Sequence, residues 1–125
     1  MNRLTRELDA EPAGTKGRWL RAYLRTVLAA DYSNKNLIPA LAAALAADQG
    51  ILNRIRESYA QSQEAAETDG INPVQATIMR LAIDGIVFSR ALKIDVLAPS
   101  MGEEVFGALA ALSQHDLRLE SKPAI

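Results

Sequence analysis

The chain has no cysteine, which excludes a disulfide framework and thiolate-ligated zinc. It has a single histidine, His115, so no second imidazole exists to build a transition-metal site. His115 stands beside Asp116 near the C-terminus and reads as a solvated surface residue. The serines at 33, 58, 62, 89, 100, 113 and 121 have no histidine base arranged with them in a recognisable motif. No glycine-rich phosphate loop is present, since DQGILN and DGINP punctuate helices. An enzyme is therefore not expected, and neither is a cofactor. No apolar run approaches a membrane span. The N-terminal MNRLTRELDAEP is charged and lacks the apolar centre of a signal peptide. A cytoplasmic protein without membrane contact is the expectation.

What is present is helical. Apolar residues make up 49% of 125 positions but aromatics only 5%, and alanine and leucine supply most of the apolar content, which favours helix over strand. One domain of this length can bury a real core. The net charge of −1 is uneven, with an excess of basic residues in the first 25 positions and of acidic ones after them. No basic cluster is dense enough for a nucleic-acid footprint, and Arg18, Arg21 and Arg25 read as a solvated helix face.

The punctuation divides the chain into a short N-terminal helix and five longer ones. Leu4 and Leu8 mark the short element over residues 1–10, and EPAGTKG ends it. A second helix starts near Thr15 and runs to about residue 32, with Trp19, Leu20, Tyr23, Leu24, Val27 and Leu28 as its apolar stripe. YSNKN is a polar loop. A third, alanine-rich helix spans about 35–47, with Pro39 in its first turn. Asp48 caps a fourth helix over about 49–69, which buries Ile51, Leu52, Ile55 and Tyr59 and ends at Gly70 as a C′ glycine. Asn72, Pro73 and Gln75 form a start signal with a capping box for a fifth helix to about Lys93. Ser100 and Glu103 form a second box opening a last helix to about Gln114. Residues 115–125 read as a frayed tail.

The fifth helix poses a puzzle. Asp84-Gly85 is a strong turn dipeptide, yet it sits mid-helix in MRLAIDGIVFSRAL. Only Thr77, Arg80 and Asp84 form a polar line, and a helix apolar nearly all round must be buried nearly all round. Ile78, Ala82, Gly85, Ser89 and Leu92 share one face whose small residues admit another backbone. The last helix adds Val105, Phe106, Leu109 and Leu112. These residues are the expected dimer interface, a four-helix bundle made across a two-fold axis. The alternative is that both helices fill an intrachain core.

The phrases GRWLRAYLRTVLAAD, LIPALAAALAADQGILNRIRESY and TDGINPVQATIMRLAIDGIVFSRAL resemble the C-terminal regulatory domain of tetracycline-repressor (TetR) type transcription regulators. The resemblance covers about Gly17 to Leu112 and rests on helix order, loop positions and phrases such as DGINP and RLAIDG. It implies an all-α bundle in residues 15–114, an effector pocket among the inner helices, and a homodimer formed by the last two long helices. It also implies a preceding helix-turn-helix module, which this chain lacks. Residues 1–14 then look like the end of the helix joining the two domains, and Met1 is either an internal residue or an imposed start. Such a fragment would dimerise and bind effector, and would reach DNA only through the missing module.

The residues expected to line the pocket are Trp19, Tyr23, Tyr59, Met79 and Ile83, with Arg80 or Asp84 as polar anchors for a small apolar or amphipathic effector. The small side chains of the third helix would leave the volume. The plainer alternatives are that the same side chains interdigitate as core and that Arg80 and Asp84 form an i,i+4 ion pair on the helix surface. A second functional class is a helical protein-interaction module with no small-molecule effector. The mild acidity yields a first prediction: these residues shift DNA weakly, and the shift vanishes as salt rises. Tight, salt-resistant binding to one operator in an electrophoretic assay would contradict the reading.

Overall fold

The computed structural model describes residues 2–31 and 37–117. Six helices follow one another: α1 (Arg3–Asp9), α2 (Arg18–Ala29), α3 (Leu37–Ala47), α4 (Gln49–Glu67), α5 (Pro73–Ala91) and α6 (Pro99–Leu112). No strand occurs among the described residues, so the all-α expectation holds. The expected polar loop at residues 32–36 and the tail from 118 lie outside the described residues.

α2 is the central helix. Leu20, Leu24 and Val27 meet Ala66 of α4, Ala76, Met79 and Ile83 of α5, Leu109 of α6 and Ile71 in one core. α3 packs on α4, and none of residues 39–47 is buried.

The start of α2 is assembled by distant residues. Gly17 is its N-cap in the left-handed region, φ 72°, and offers no capping side chain. The Asp69 carboxylate supplies the cap, accepting from the Trp19 and Leu20 N–H groups at 2.8 and 2.9 Å. The Gly17 N–H donates to the Asp69 carbonyl at 2.8 Å. Burial raises the Asp69 pKa above its ordinary 3.8, against the opposing pull of those two N–H groups. The folded state thus holds this proton more tightly than the unfolded chain does, and this group's contribution to stability falls as pH rises from 3.8 through the raised value.

The arginines of α2 do not form a solvated face. Arg21 is buried and pairs with Glu11 at 3.0 Å. Arg25 pairs with Glu7 and Glu11, both at 2.8 Å. Arg18 Nη2 donates to the Leu8 carbonyl at 2.7 Å. These bonds dock α1 and the turn after it against α2: the carboxylates of Glu7 and Glu11 hold Arg21 and Arg25, and backbone carbonyls hold Arg18. The hydrogen bond from Arg21 holds the Glu11 carboxyl below its ordinary 4.5. The ionised pair stabilises the fold above that value, and the contribution is lost as pH falls through the lowered pKa.

Several helix boundaries differ from the sequence expectation. α2 begins at Arg18 rather than near Thr15. α4 ends at Glu67, which places Gly70, φ 86°, in the following turn rather than at C′. Asp48 caps α4 as expected, accepting from the Gly50 N–H at 2.8 Å. The Ser100–Glu103 box does not form. Pro99 has the fixed φ that suits a first helical position, so α6 starts there with Ala98 as N-cap, and Ser100 falls inside the helix.

At α5, Asn72 caps by accepting from the Val74 and Gln75 N–H groups, but Gln75 does not complete the box. Its amide instead donates to the Leu112 and His115 carbonyls, both at 2.7 Å, and accepts from the Leu117 N–H at 2.6 Å. Asp116 accepts from the Asn72 N–H at 2.6 Å and from Lys16 Nζ at 3.3 Å. Residues 115–117 are therefore docked, not frayed.

Gly17 is also the tightest point of the fold. A Cβ there would lie 1.8 Å from the Ser113 carbonyl oxygen. Gly14 has a similar φ, 79°, with nothing within 4 Å of a Cβ, and so serves as the control. Gly17→Ala should cost about 2–4 kcal/mol, combining left-handed strain with overpacking, whereas Gly14→Ala should cost only about 1–2 kcal/mol. Urea midpoints of the two variants test the difference, and equal losses would show that the Ser113 contact carries no weight.

Candidate functional site

α5 turns its polar line inward. Arg80 and Asp84 are only 8% and 7% exposed, so the reading of the pair as a surface ion pair is overturned. The reason is the company α5 keeps. α2 presents Tyr23, whose hydroxyl donates to Asp84 Oδ1 at 2.5 Å. Arg80 Nη1 donates to Asp84 Oδ2 at 2.5 Å. α4 presents Gln63, whose carbonyl accepts from Arg80 Nε at 2.8 Å. The Gln63 amide donates to Thr77 Oγ1 at 2.9 Å, and the Thr77 hydroxyl donates to the Pro73 carbonyl at 2.8 Å. One chain of hydrogen bonds thus runs Tyr23–Asp84–Arg80–Gln63–Thr77 across three helices.

Apolar side chains stand beside this network. Met79 and Ile83 are fully enclosed in the core, and Trp19 and Tyr23 pack against it. The Trp19 and Tyr23 rings lie 5.1 Å apart between centroids. Tyr59 is partly exposed. Burial raises the pKa of its phenol, and the Asp84 charge adds to the rise, with Arg80 opposing. The neutral phenol is therefore the form present near neutral pH. The residues expected to serve a ligand are thus distributed in two layers: Trp19, Tyr23 and Tyr59 partly accessible, and Met79, Arg80, Ile83 and Asp84 beneath them.

Gln63 and Thr77 were not singled out as site residues in the sequence. Both carried a signal: Gln63 lies one turn beyond Tyr59, and Thr77 belongs to the polar line that contains Arg80 and Asp84. Among the described residues no group of three histidines, cysteines or carboxylates is placed to hold a metal ion.

The candidate interface residues divide. Ile78, Ala82, Gly85 and Leu92 are exposed and Ser89 is half-buried. Leu109 is buried in the core of its own chain, and Val105, Phe106 and Leu112 pack against that core. The outward face of the pair therefore belongs mainly to α5, not equally to α6. Val74, Leu81 and Phe88 also lie on it, uncovered. The spacing Val74, Ile78, Leu81, Gly85, Phe88, Leu92 alternates four and three, the period of a coiled-coil seam. A cleft of about 730 Å³ adjoins it, between the end of α5, the connector to α6 and the first turns of α6, with Ala82, Gly85, Gly102 and Phe106 among its walls. No described helix is long and apolar enough to cross a membrane.

A family model described as "Tetracyclin repressor-like, C-terminal domain" matches residues 17–114. Neither the curated proteins nor the solved structures gave a match.

Removing one member of a buried ion pair strands the other. Asp84→Ala should therefore cost about 3–5 kcal/mol, while the joint replacement Arg80→Met with Asp84→Leu should recover most of that loss. Denaturant titration of the three proteins measures it. A double variant as unstable as Asp84→Ala would mean the network is needed for folding itself.

Proposed function

We propose that this chain, which belongs to the tetracyclin repressor-like C-terminal domain family, is the effector-binding and dimerisation domain of a transcriptional repressor of that type. The observation that carries the reading is the uncovered apolar face of α5, with Val74 60% and Phe88 49% exposed. A soluble monomer rarely leaves so continuous a patch uncovered. A second copy of the chain is the partner that the family reading supplies.

The inward face of the same helix supports the effector role. A buried, fully bonded ion pair is a poor device for stability, since apolar residues of similar volume serve at least as well. Its retention beside Trp19, Tyr23 and Tyr59 fits a polar anchor under an apolar or amphipathic effector. α3 and the first half of α4 bury little against the core, so that side can open to admit it. α1, clamped to α2 by Glu7 and Glu11, fits the end of a helix leading to a DNA-reading module. Operator recognition would reside in that module, and residues 15–114 would set its state. The protein-interaction reading uses the same α5 face for a different chain, and the mass of the complex separates the two.

Equilibrium sedimentation at micromolar concentration should give a dimer. Gly85 is the residue to test, because a Cβ there meets nothing within 4 Å in the protomer. Gly85→Leu should leave the fold intact and weaken dimerisation by about 1–3 kcal/mol through overpacking of the contact. In parallel, an apolar effector should quench the fluorescence of Trp19, the only tryptophan, saturably. A monomeric wild type would end the dimer reading, and no response across a panel of hydrophobic compounds would end the effector reading.

A further inference from the structure

The inward network of α5 is closed on its acceptor side and open on its donor side. Each Asp84 oxygen already accepts a bond, one from the Tyr23 hydroxyl and one from Arg80 Nη1. The Gln63 carbonyl accepts from Arg80 Nε, and the Gln63 amide is turned to Thr77. A guanidinium group carries donors only. Among the described residues, neither Arg80 Nη2 nor the Tyr59 hydroxyl has a hydrogen-bond partner. No fully enclosed side-chain nitrogen or oxygen of those residues lacks one. Arg80 Nη2 therefore opens on accessible space, although its side chain is only 10% exposed. The Tyr59 phenol lies close enough to feel the charges of both Asp84 and Arg80.

From Tyr59 towards its own start, α4 continues as an uncharged row. Ile51, Ile55 and Tyr59 follow at i,i+4 spacing, with Leu52 beside them. Ile51, Leu52 and Ile55 are half-buried, so they are not filled in by the core. At the helical rise the row from Ile51 to Tyr59 is about 12 Å long. α3 packs on α4 with Leu41 still 45% exposed.

We propose that the effector is an elongated, uncharged amphiphile whose polar end is a carbonyl group, held by Arg80 Nη2 and the Tyr59 hydroxyl, with its apolar body along Ile55, Leu52 and Ile51. The inference rests on the effector reading above and names the ligand class for that site. Charge balance decides the class. Arg80 and Asp84 neutralise each other at 2.5 Å. A ligand carboxylate would set a second negative charge beside Asp84 with no cation left to balance it, and an unbalanced buried charge is costly. A ligand ammonium would need an acceptor, and donors already occupy both Asp84 oxygens. A plain hydrocarbon would displace water from the open donors and leave them unpaired. A carbonyl needs only donors, and it leaves the ion pair intact.

Three probes of equal carbon count separate these chemistries: methyl octyl ketone, decanoate and decylamine, each titrated near neutral pH against Trp19 fluorescence. The ketone should bind at least about tenfold more tightly than either ion. Tyr59→Phe removes one donor at a partly exposed position and should weaken the ketone about three- to tenfold. Far-ultraviolet circular dichroism checks that the variant folds. The infrared carbonyl stretch of the bound ketone gives a second readout in the wild-type protein. It should lie below its value in hexane, and in Tyr59→Phe it should return only part of the way, because Arg80 still donates. Decanoate or decylamine binding as tightly as the ketone would overturn the ligand class while leaving the effector reading standing. A bound ketone with the carbonyl stretch it has in hexane would do the same. Quenching by none of the three would also overturn the class, and the wider panel of hydrophobic compounds then decides the effector reading separately.

Discussion

The structure depends on how α2 is started. A twelve-residue helix at the centre of the fold begins at a glycine that offers no side-chain cap, and its first N–H groups would otherwise be buried without partners. The Asp69 carboxylate fills that need from 50 residues away. The arrangement is possible only because residue 17 has no side chain, since the Ser113 carbonyl occupies the place where a Cβ would project. Three segments far apart in sequence thus meet at one point: the turn before α2, the turn after α4 and the end of α6. The geometry of each constrains the other two.

The same meeting point resolves the C-terminal end of α6. Helix ends leave carbonyls without intrahelical partners, and here side chains from other helices satisfy them. Arg21 Nη1 donates to the Ser113 carbonyl at 3.4 Å and to Ser113 Oγ at 3.1 Å, while its other nitrogens hold Glu11. Gln75 takes the Leu112 and His115 carbonyls. α2 is therefore fixed at its start by Asp69, along its flank by α1 and beneath by α5. A helix held on three sides presents the Tyr23 hydroxyl to Asp84 Oδ1 at a fixed distance of 2.5 Å.

Much of this was legible in the sequence, and the failures share a cause. The helices, their order and the caps at Asp48 and Asn72 follow from local chemistry, because a cap or a proline acts within a few residues of itself. What local chemistry cannot show is which distant group a polar side chain will find. Arg18, Arg21 and Arg25 look like a solvated face until α1 and the turn after it bring backbone carbonyls to the first and the Glu7 and Glu11 carboxylates to the other two. Gln75 fits a capping box until the end of α6 offers three better partners. Arg80 and Asp84 read as polar anchors of a pocket or as a surface pair, because nothing within one turn reveals Tyr23 or Gln63. In each case tertiary pairing displaced a local bond, and the residues displaced were those that now tie helices together. The candidate site was legible as a set of residues and a line on α5. Its depth and its connection through Gln63 were not.

α5 inverts the usual amphipathic arrangement, and this explains why a turn dipeptide sits at its centre. An ordinary surface helix buries its apolar stripe and solvates its polar one. α5 buries Gln75, Arg80 and Asp84 together with Met79 and Ile83, and exposes Val74, Ile78, Leu81 and Phe88. Asp84 and Gly85, adjacent in sequence, point about 100° apart, and that turn carries the chain from a buried position to an exposed one. The aspartate enters the protomer, where two donors satisfy its charge. The glycine faces outward, where its missing side chain leaves room for close approach. Neither residue makes a turn, because Asp84 finds its partners in α2 and in its own helix and Gly85 gives up about 1 kcal/mol of helix propensity relative to alanine. In the dimer proposed above, a close contact between helices would offset that loss. The dipeptide is thus divided between two sides of one helix: a charge held inside the protomer and a bare stretch of backbone on its surface.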